Sequence, residues 1–414
     1  MSSPLHGIRI VDMSSVLMGP FAAQSLAELG ADVVKIEPPQ GDLVRQIGPA
    51  RHAGMGPVFL NANRHKRSVV LDLKQAEGLQ ALHLLLRDAD VLMYNLRPQA
   101  MQRLGLGYEA VAELNPRIVY AGLLGFGNDG PYAGRPAYDD LIQGACTLSH
   151  LMARASGGPP RYVPTAMADR IVGLTAVSAI LATLMARERS GRGDRVDIPM
   201  FETMVGFTLG DHLGGLSFEP PLDGGGYARQ LSAERRPYRT RDGHLCAMVY
   251  SDKQWRSFLG AIQRESLLDD ERFAGFAART RHVDAVYAEL SRIFLERDTA
   301  DWLQLLEQAD VPCMPLHDLH SVLHDPHLQA TGFFVDEQHP SEGPLRAMRS
   351  PLRWQHLQPA ATRPAPRLGE HTREVLAEAG LAPERIQRLL DSGAARQAAD
   401  WPAPATAPDQ EQTK

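Results

Sequence analysis

Asp169 stands in Pro164-Thr165-Ala166-Met167-Ala168-Asp169-Arg170, directly ahead of a long apolar stretch. An aspartate in that setting is most often a helix N-cap, its carboxylate accepting from the first free amides. The same place suits catalysis. A helix N-terminus keeps a carboxylate ionised and offers amide donors to an oxyanion. Residue types alone leave both readings open. Two basic clusters stand nearby in the pattern: Asn63-Arg64-His65-Lys66-Arg67-Ser68 opens one β-branched segment, and Asn95-Leu96-Arg97-Pro98 with Arg103 follows the next. Cations at the ends of strands suit an anionic, phosphorylated ligand, although a charged loop is as often plain solvated surface.

Other chemistries lack their motifs. A dinucleotide fingerprint needs G-x-G-x-x-G after the first strand, whereas Ser14-Ser15-Val16-Leu17-Met18-Gly19-Pro20 supplies one glycine and a proline without an amide. There is no P-loop and no G-x-S-x-G elbow. His317, His320, His324 and His327 are interrupted by Asp325-Pro326, so no metal site and no permanently bound cofactor are expected. Cys146, Cys246 and Cys313 lie far apart, which fits a reducing compartment rather than a disulfide framework. A net charge of -6 argues against a nucleic-acid partner. The N-terminal residues show no export signal, and the longest apolar run, Ile171–Ala186, is short for a bilayer span and reads as a buried helix. A cytoplasmic, soluble chain without a membrane partner is the expectation.

The elements that must position these residues follow an alternating pattern. IRIVDM, DVVKIE, SVVLDL, DVLMYNL and IVYAGLLGF are short, nearly all apolar segments, as strands covered on both faces must be. Helical stretches lie between them, among them PFAAQSLAELG, QAEGLQALHLLLRDA and QAMQRLGLGYEAVAEL, the last broken at its glycines. This is the signature of βαβ units and a parallel sheet, an α/β fold. The expected large domain occupies residues 1–204, a Gly/Pro-rich linker 205–235, and a smaller α+β domain 236–325, opening on a hairpin turned at Asp242-Gly243. Residues 326–393 form a return linker and the C-terminal part of the large domain, and the Ala/Pro/Gln-rich residues 394–414 read as a disordered tail.

Together these stretches resemble one family, the class III CoA-transferases, which includes formyl-CoA:oxalate CoA-transferase and carnitine CoA-transferase. The resemblance runs from PLHGIRIVDMSSVLMGP to LGEHTREVL. It passes in order through LGADVVKIEPPQGD, NRHKRSVVLDLK, DADVLMYNLRP, RLGLGYE, GFGNDGPYAGRPAYDDLIQ, MADRIVGL, RSGRGDRVDIPMFE, PYRTRDGHL and VPCMPL. It implies a Rossmann-like large domain built from both termini, a small central domain, and an interlocked homodimer. It implies an acyl-CoA donor, a free carboxylate acceptor, and Asp169 as a nucleophile that passes through an aspartyl anhydride and an aspartyl-CoA thioester. Coenzyme A is then substrate, contacted at Val16, Lys66, Arg67, Leu71, Leu73, Asn95, Leu96 and Arg103, with Lys66, Arg67 and Arg103 on the phosphates. The acid pocket would include Leu17, Gly48 and Tyr138, with Gly224, Gly225 and Gly226 as a mobile glycine loop.

The resemblance departs at three places. Leu17 stands where formyl-CoA transferases have glutamine, Gly48 where they have tryptophan, and Pro38 where they have the arginine that helps to hold adenine. Leu17 and Gly48 imply a roomier, less polar pocket than oxalate needs, suited to a dicarboxylate such as succinate or to a longer acid. Two rivals remain: the 2-methylacyl-CoA racemase branch of the superfamily and a non-catalytic CoA-binding protein. Racemisation needs two acid/base groups flanking the α-carbon. That branch carries a histidine in a G-H-D segment, where this chain has Ala137-Tyr138-Asp139.

Overall fold

Each continuous apolar segment of the first half folds as a strand with both faces covered. In a computed structural model that describes residues 2–358 and 361–399, these strands are β1 (Arg9–Asp12), β2 (Asp32–Glu37), β3 (Lys66–Leu71), β4 (Val91–Tyr94) and β5 (Val119–Leu124). They continue with β6 (Arg195–Pro199), β7 (Tyr238–Arg239), β8 (His244–Ala247) and β9 (Cys313–Pro315). Last come β10 (Phe334–His339), β11 (Gly343–Met348) and β12 (Ala395–Arg396). The chain packs as two units. One falls within Met1–Cys146, Pro164–Val205 and Thr331–Lys414, and the other comprises Thr147–Val163 and Gly206–Ala330.

The first unit is built on a seven-stranded sheet in the order β12-β3-β2-β1-β4-β5-β6, parallel throughout except that β12 runs antiparallel to β3. The helices Ala76–Arg87, Thr372–Glu378 and Pro383–Asp391 join a core of Val11, Leu82, Leu86, Tyr120, Leu376 and Ile386. Burying each such side chain stabilises the fold by about 1.5–3 kcal/mol. The broken helical stretch forms two pieces, Pro98–Arg103 and Tyr108–Leu114, with Gly105 at φ +68 between them. β10 and β11 pair as an antiparallel hairpin.

The long helix Met167–Ser190 lies against the helix Met18–Glu28. Gly173 permits the approach, since a Cβ there would stand 2.9 Å from Phe21 Cδ1 and 3.0 Å from the Met18 carbonyl oxygen. The expectation of a buried helix is corrected in part. Val172, Ala176 and Ile180 are fully buried, but Leu174 and Met185 are 55% and 67% exposed. A second correction concerns the tail expected from Ala394. Ala394 and Ala395 are buried, and Ala395–Arg396 pair with Leu71 and Val70 as the sheet's edge strand. The remainder of that expected tail, 400–414, lies outside the described residues.

The second unit holds the three-stranded antiparallel sheet β7-β8-β9, with the Asp242-Gly243 turn between its first two strands. The helices Asp252–Ala261, Val283–Phe294 and Thr299–Gln308 close over Trp255, Phe258, Phe294 and Trp302. Ser251 and Gln254 form a capping box at the first of these helices. Trp302 satisfies its indole by donating to the Phe294 carbonyl at 2.8 Å. The expected boundaries shift here. Residues 147–163 leave the large domain, and the expected linker holds the end of the helix Met200–His212 and a short helix, Ala228–Leu231.

Candidate active site

In the order 3-2-1-4-5-6 the parallel strands reverse direction of progress between β1 and β4, so the loops leaving their C-terminal ends diverge and open a crevice. A cavity of about 210 Å³ occupies that place. Its walls are Ser15–Met18 after β1, Asn95–Pro98 after β4, and the end of β5 with part of the loop to Tyr138; Asp169 and Met200 complete it.

The loop after β1 is fixed amide by amide. Ser14 donates to Asp12 Oδ1 at 2.9 Å, Ser15 to Asn95 Oδ1 at 3.0 Å, and Val16 to both oxygens of Asp42 at 3.0 and 3.2 Å. Asn95 Nδ2 returns a bond to the Ser15 carbonyl at 2.8 Å. Val16 is held at φ +69, a conformation that costs a β-branched residue on the order of 1–3 kcal/mol. Gly19, the single glycine of the failed fingerprint, has a packing reason: a Cβ there would collide with the Ser14 side chain.

Beneath this loop lies a buried ionic layer. Lys35 Nζ bonds Asp42 Oδ2 at 2.9 Å and the Ser14 carbonyl at 2.8 Å. Lys66 Nζ bonds Asp12 Oδ2 at 3.1 Å, Asn63 Oδ1 at 2.9 Å and the Pro20 carbonyl at 2.8 Å. Burial pushes the Lys66 ammonium down to about 8, against the pull of Asp12. Burial alone would raise the Glu37 carboxyl, but Arg45, at 2.7 and 2.8 Å, holds it down at about 2.

That layer corrects the reading of the first basic cluster. Lys66 is fully buried and its bonds are spent supporting the β1 loop from below. Arg67 is turned to Asp32, Glu374 and Glu378, at 2.6, 3.0 and 2.8 Å, on the far end of β3 from the cavity. Neither presents a group to phosphate. Leu71 and Leu73 pack in or against the sheet core and do not reach the cavity. Gly48 turns at φ +87 against Pro57, also away from it. Arg103 is exposed at the end of its short helix and is not part of the cavity wall. Gly224, Gly225 and Gly226 belong to the second unit, where Asp223 and the His212 carbonyl accept from Gly225 and Gly226 at 2.8 Å each.

The cavity does bring together Val16, Leu17, Asn95, Leu96, Tyr138 and Asp169. Asp169 is the third residue of the long helix, not its cap, which is Ala166. Its amide donates to Asp139 Oδ1 at 2.9 Å, and Asp139 Oδ2 accepts from Gln143 Nε2 at 2.5 Å. Burial raises the Asp169 carboxyl, the like charge of Asp139 adds to the rise, and Arg170 opposes it; the group is pushed up to about 7. Arg170 itself lies over the Phe21 ring at 4.4 Å, which tethers the first turn of the helix. A half-buried carboxylate titrating near neutrality can attack an electrophile or exchange a proton.

Sequence reasoning misses Asp139, Asn128 and Arg135. All three lie in GFGNDGPYAGRPAYDD, a stretch in which the family resemblance points to Tyr138 alone. The loop's two ends meet at Gly125, where a Cβ would collide with Ala137. Glu202 anchors it by accepting from the Gly127 amide at 2.9 Å, and Asp197 by accepting from Asn128 Nδ2 at 2.8 Å.

Comparison with known proteins agrees with this geometry. Residues 5–372 match the model of CoA-transferase family III. A succinate–glutarate CoA-transferase of Agrobacterium fabrum is 34% identical over 386 residues, 91% of this chain and 95% of that protein. The mouse succinyl-CoA:glutarate CoA-transferase is 31% identical over 95% of this chain and 91% of its own length. The crystal structure of a CaiB/BaiF family protein from Brucella suis superimposes with a TM-score of 0.78 at 30% identity, covering 92% of this chain and all of that one. With a cavity at the strand reversal, a carboxylate on its wall and a family match over nearly its whole length, the chain belongs to CoA-transferase family III.

Proposed function

We propose that this enzyme moves CoA from an acyl-CoA to a free carboxylic acid with Asp169 as the covalent nucleophile. An Asp169 oxygen adds to the thioester carbonyl, the C–S bond breaks, and CoA leaves as thiolate, giving a mixed anhydride. The thiolate then attacks the aspartyl carbonyl, releasing the donor acid and leaving an aspartyl-CoA thioester. The acceptor carboxylate reverses the two steps and regenerates Asp169. A carboxylate is the side chain that suits this exchange, because both acyl intermediates keep the thioester's free energy in a bond. The observation that carries the reading is the Asp169 carboxyl, raised to about 7, on the wall of the cavity at the end of β1 and β4.

The test is direct. With an acyl-CoA donor, hydroxylamine or borohydride will trap an adduct that mass spectrometry places on Asp169. If no donor in a panel of acyl-CoAs leaves one there, the mechanism is wrong, and an enzyme that binds CoA without turnover becomes the alternative. Racemisation would instead wash deuterium from solvent into the α-carbon, and Tyr138, at the position where that branch has histidine, is 67% exposed.

For CoA, the backbone at Val16 and the side chains of Asn95 and Leu96 border the cavity, and the exposed Arg97 and Arg103 offer cations to its phosphates. Relatives named for succinate and glutarate favour a dicarboxylate among the exchanged acids.

The nucleophile must be ionised, so kcat/KM should rise with pH through about 7 and level off above it. Asp139→Asn removes the neighbouring charge yet retains an oxygen for the Asp169 amide. The acid limb should then move down by roughly half to one unit, and an unmoved limb would show that Asp139 does not tune the nucleophile.

The exposed Leu174 and Met185 on the long helix favour burial against a second copy of the chain. Light scattering on the purified enzyme should give twice the 45.4 kDa chain mass, and a monomer across the micromolar range would refute the homodimer.

A further inference from the structure

Arg97 and Arg135 both line the cavity and both are exposed. Neither enters a salt bridge among the described residues, whereas Lys35, Arg45 and Lys66 in the layer below each have a carboxylate. Arg135 is also held in place. Its guanidinium lies over the Tyr132 ring at 4.4 Å, and Tyr132 meets Phe126, a cavity residue, edge-on at 5.3 Å. Its amide closes a turn onto the Tyr132 carbonyl at 3.0 Å, next to Gly134 at φ +72. A guanidinium held over a ring without a carboxylate partner keeps N–H donors available, and its planar fork matches a carboxylate.

Arg135 lies four positions before Asp139, whose carboxylate accepts the Asp169 amide, so at most about 14 Å of chain spans them. Pro136, Ala137 and Tyr138 between them line the same cavity, and Leu17, Leu124 and Met200 give it an apolar wall. A cation at one place, a reacting carboxyl at another and apolar surface between them describe a short chain with an acid at each end.

We propose that Arg135 is a specificity-determining residue that holds the far carboxylate of a short α,ω-dicarboxylic acid while its near carboxylate exchanges CoA at Asp169. The assignment rests on the transfer reading above and goes beyond it by naming the side chain that selects the dicarboxylate. Arg97, at the start of the short helix beside Asn95, is left to CoA.

The test compares wild type with Arg135→Gln and Arg135→Lys in succinyl-CoA:glutarate exchange, with pentanoate as the acceptor lacking a second carboxylate. Free CoA binding by calorimetry and thermal melting are measured on the same samples. Arg135→Gln should raise the glutarate KM at least tenfold while the CoA Kd and the melting temperature stay within error of wild type, and Arg135→Lys should recover part of the loss. A glutarate KM within twofold of wild type overturns the proposal. So does a CoA Kd that rises in step, which would put Arg135 on the CoA phosphates. A wild type that exchanges pentanoate but refuses glutarate and succinate overturns it as well. A wild type that exchanges no acid and forms no Asp169 adduct is a different result, since it removes the transfer reading itself.

Discussion

Asp169→Asn should lower CoA exchange by on the order of 10⁴-fold or more, with CoA affinity and melting temperature retained. The amide has nearly the shape of the carboxylate but cannot form an anhydride, so the covalent route closes. The fold should not notice. The bond that ties this residue to Asp139 comes from the Asp169 backbone amide, which the substitution leaves alone. The change also removes one member of a like-charged pair, so stability should hold or rise slightly. Single-turnover kinetics with an acyl-CoA donor, alongside CoA calorimetry, separate loss of chemistry from loss of binding. A variant keeping a tenth of wild-type turnover would show that Asp169 is not the nucleophile.

Asp42→Ala should unfold the protein more readily, by about 3–5 kcal/mol, because it strands Lys35 as a buried, unpaired cation. Burial works against the Lys35 charge, and Asp12, Asp42 and Glu37 together overcome it. Removing one of the three leaves Lys35 with fewer counter-charges in a fully buried place. The same carboxylate accepts the Val16 amide, so its loss also frees a residue held at positive φ. Val16 should relax toward an ordinary conformation and pull the Ser15–Met18 wall out of shape. Urea denaturation reads the first effect. The second appears as a rise in acyl-CoA KM in Asp42→Ala that Asp42→Asn, which keeps an oxygen for Val16, does not share. If Asp42→Ala melted like wild type, the ionic layer would not be what supports the site.

How much of the fold and site is legible in the sequence depends on the range of the interaction. β1 to β5 are readable because a strand covered on both faces must be largely apolar, and DVVKIE or IVYAGLLGF admit few other readings. The C-terminal end of the long helix, closed by Gly191 at φ +72, and the Asp242-Gly243 turn carry local signals of the same kind, whereas Ala166 gives no such sign at the helix start. β12 carries none. Two residues, Ala395 and Arg396, have no apolar run to show, and the strand exists because β3 offers it an edge and the core has room for Ala394 and Ala395.

The roles of Lys66 and Arg67 are hidden from the sequence for a related reason. The two look alike in NRHKRS, yet alternate residues of a strand face opposite ways. Lys66 meets Asp12, 54 positions earlier, and Arg67 meets Glu374, 307 positions later. No spacing rule reveals such partners. Asp139 escapes notice because its meaning depends on the Asp169 amide, 30 positions on, although the local pattern of an acid at the head of a helix is visible. Arg135 reads as one more surface arginine until the loop folds back from Gly125 to Ala137 and sets it beside Tyr132.

The edge strand β12 has a consequence for how the chain is made. During synthesis β3 emerges about 320 residues before the segment that covers its outer edge, an interval of roughly 15–65 s at ordinary elongation rates. Throughout that time the nascent sheet presents an open row of amides and carbonyls of the kind that recruits other extended chains. Ser68 and Val70 are capped from the C-terminal side as well, by His371 and Thr372, so the same late-arriving stretch supplies every one of those covers. The outer edge of the sheet is therefore closed long after its other strands have emerged, and a chaperone that shields strand edges would act on this protein chiefly in that interval.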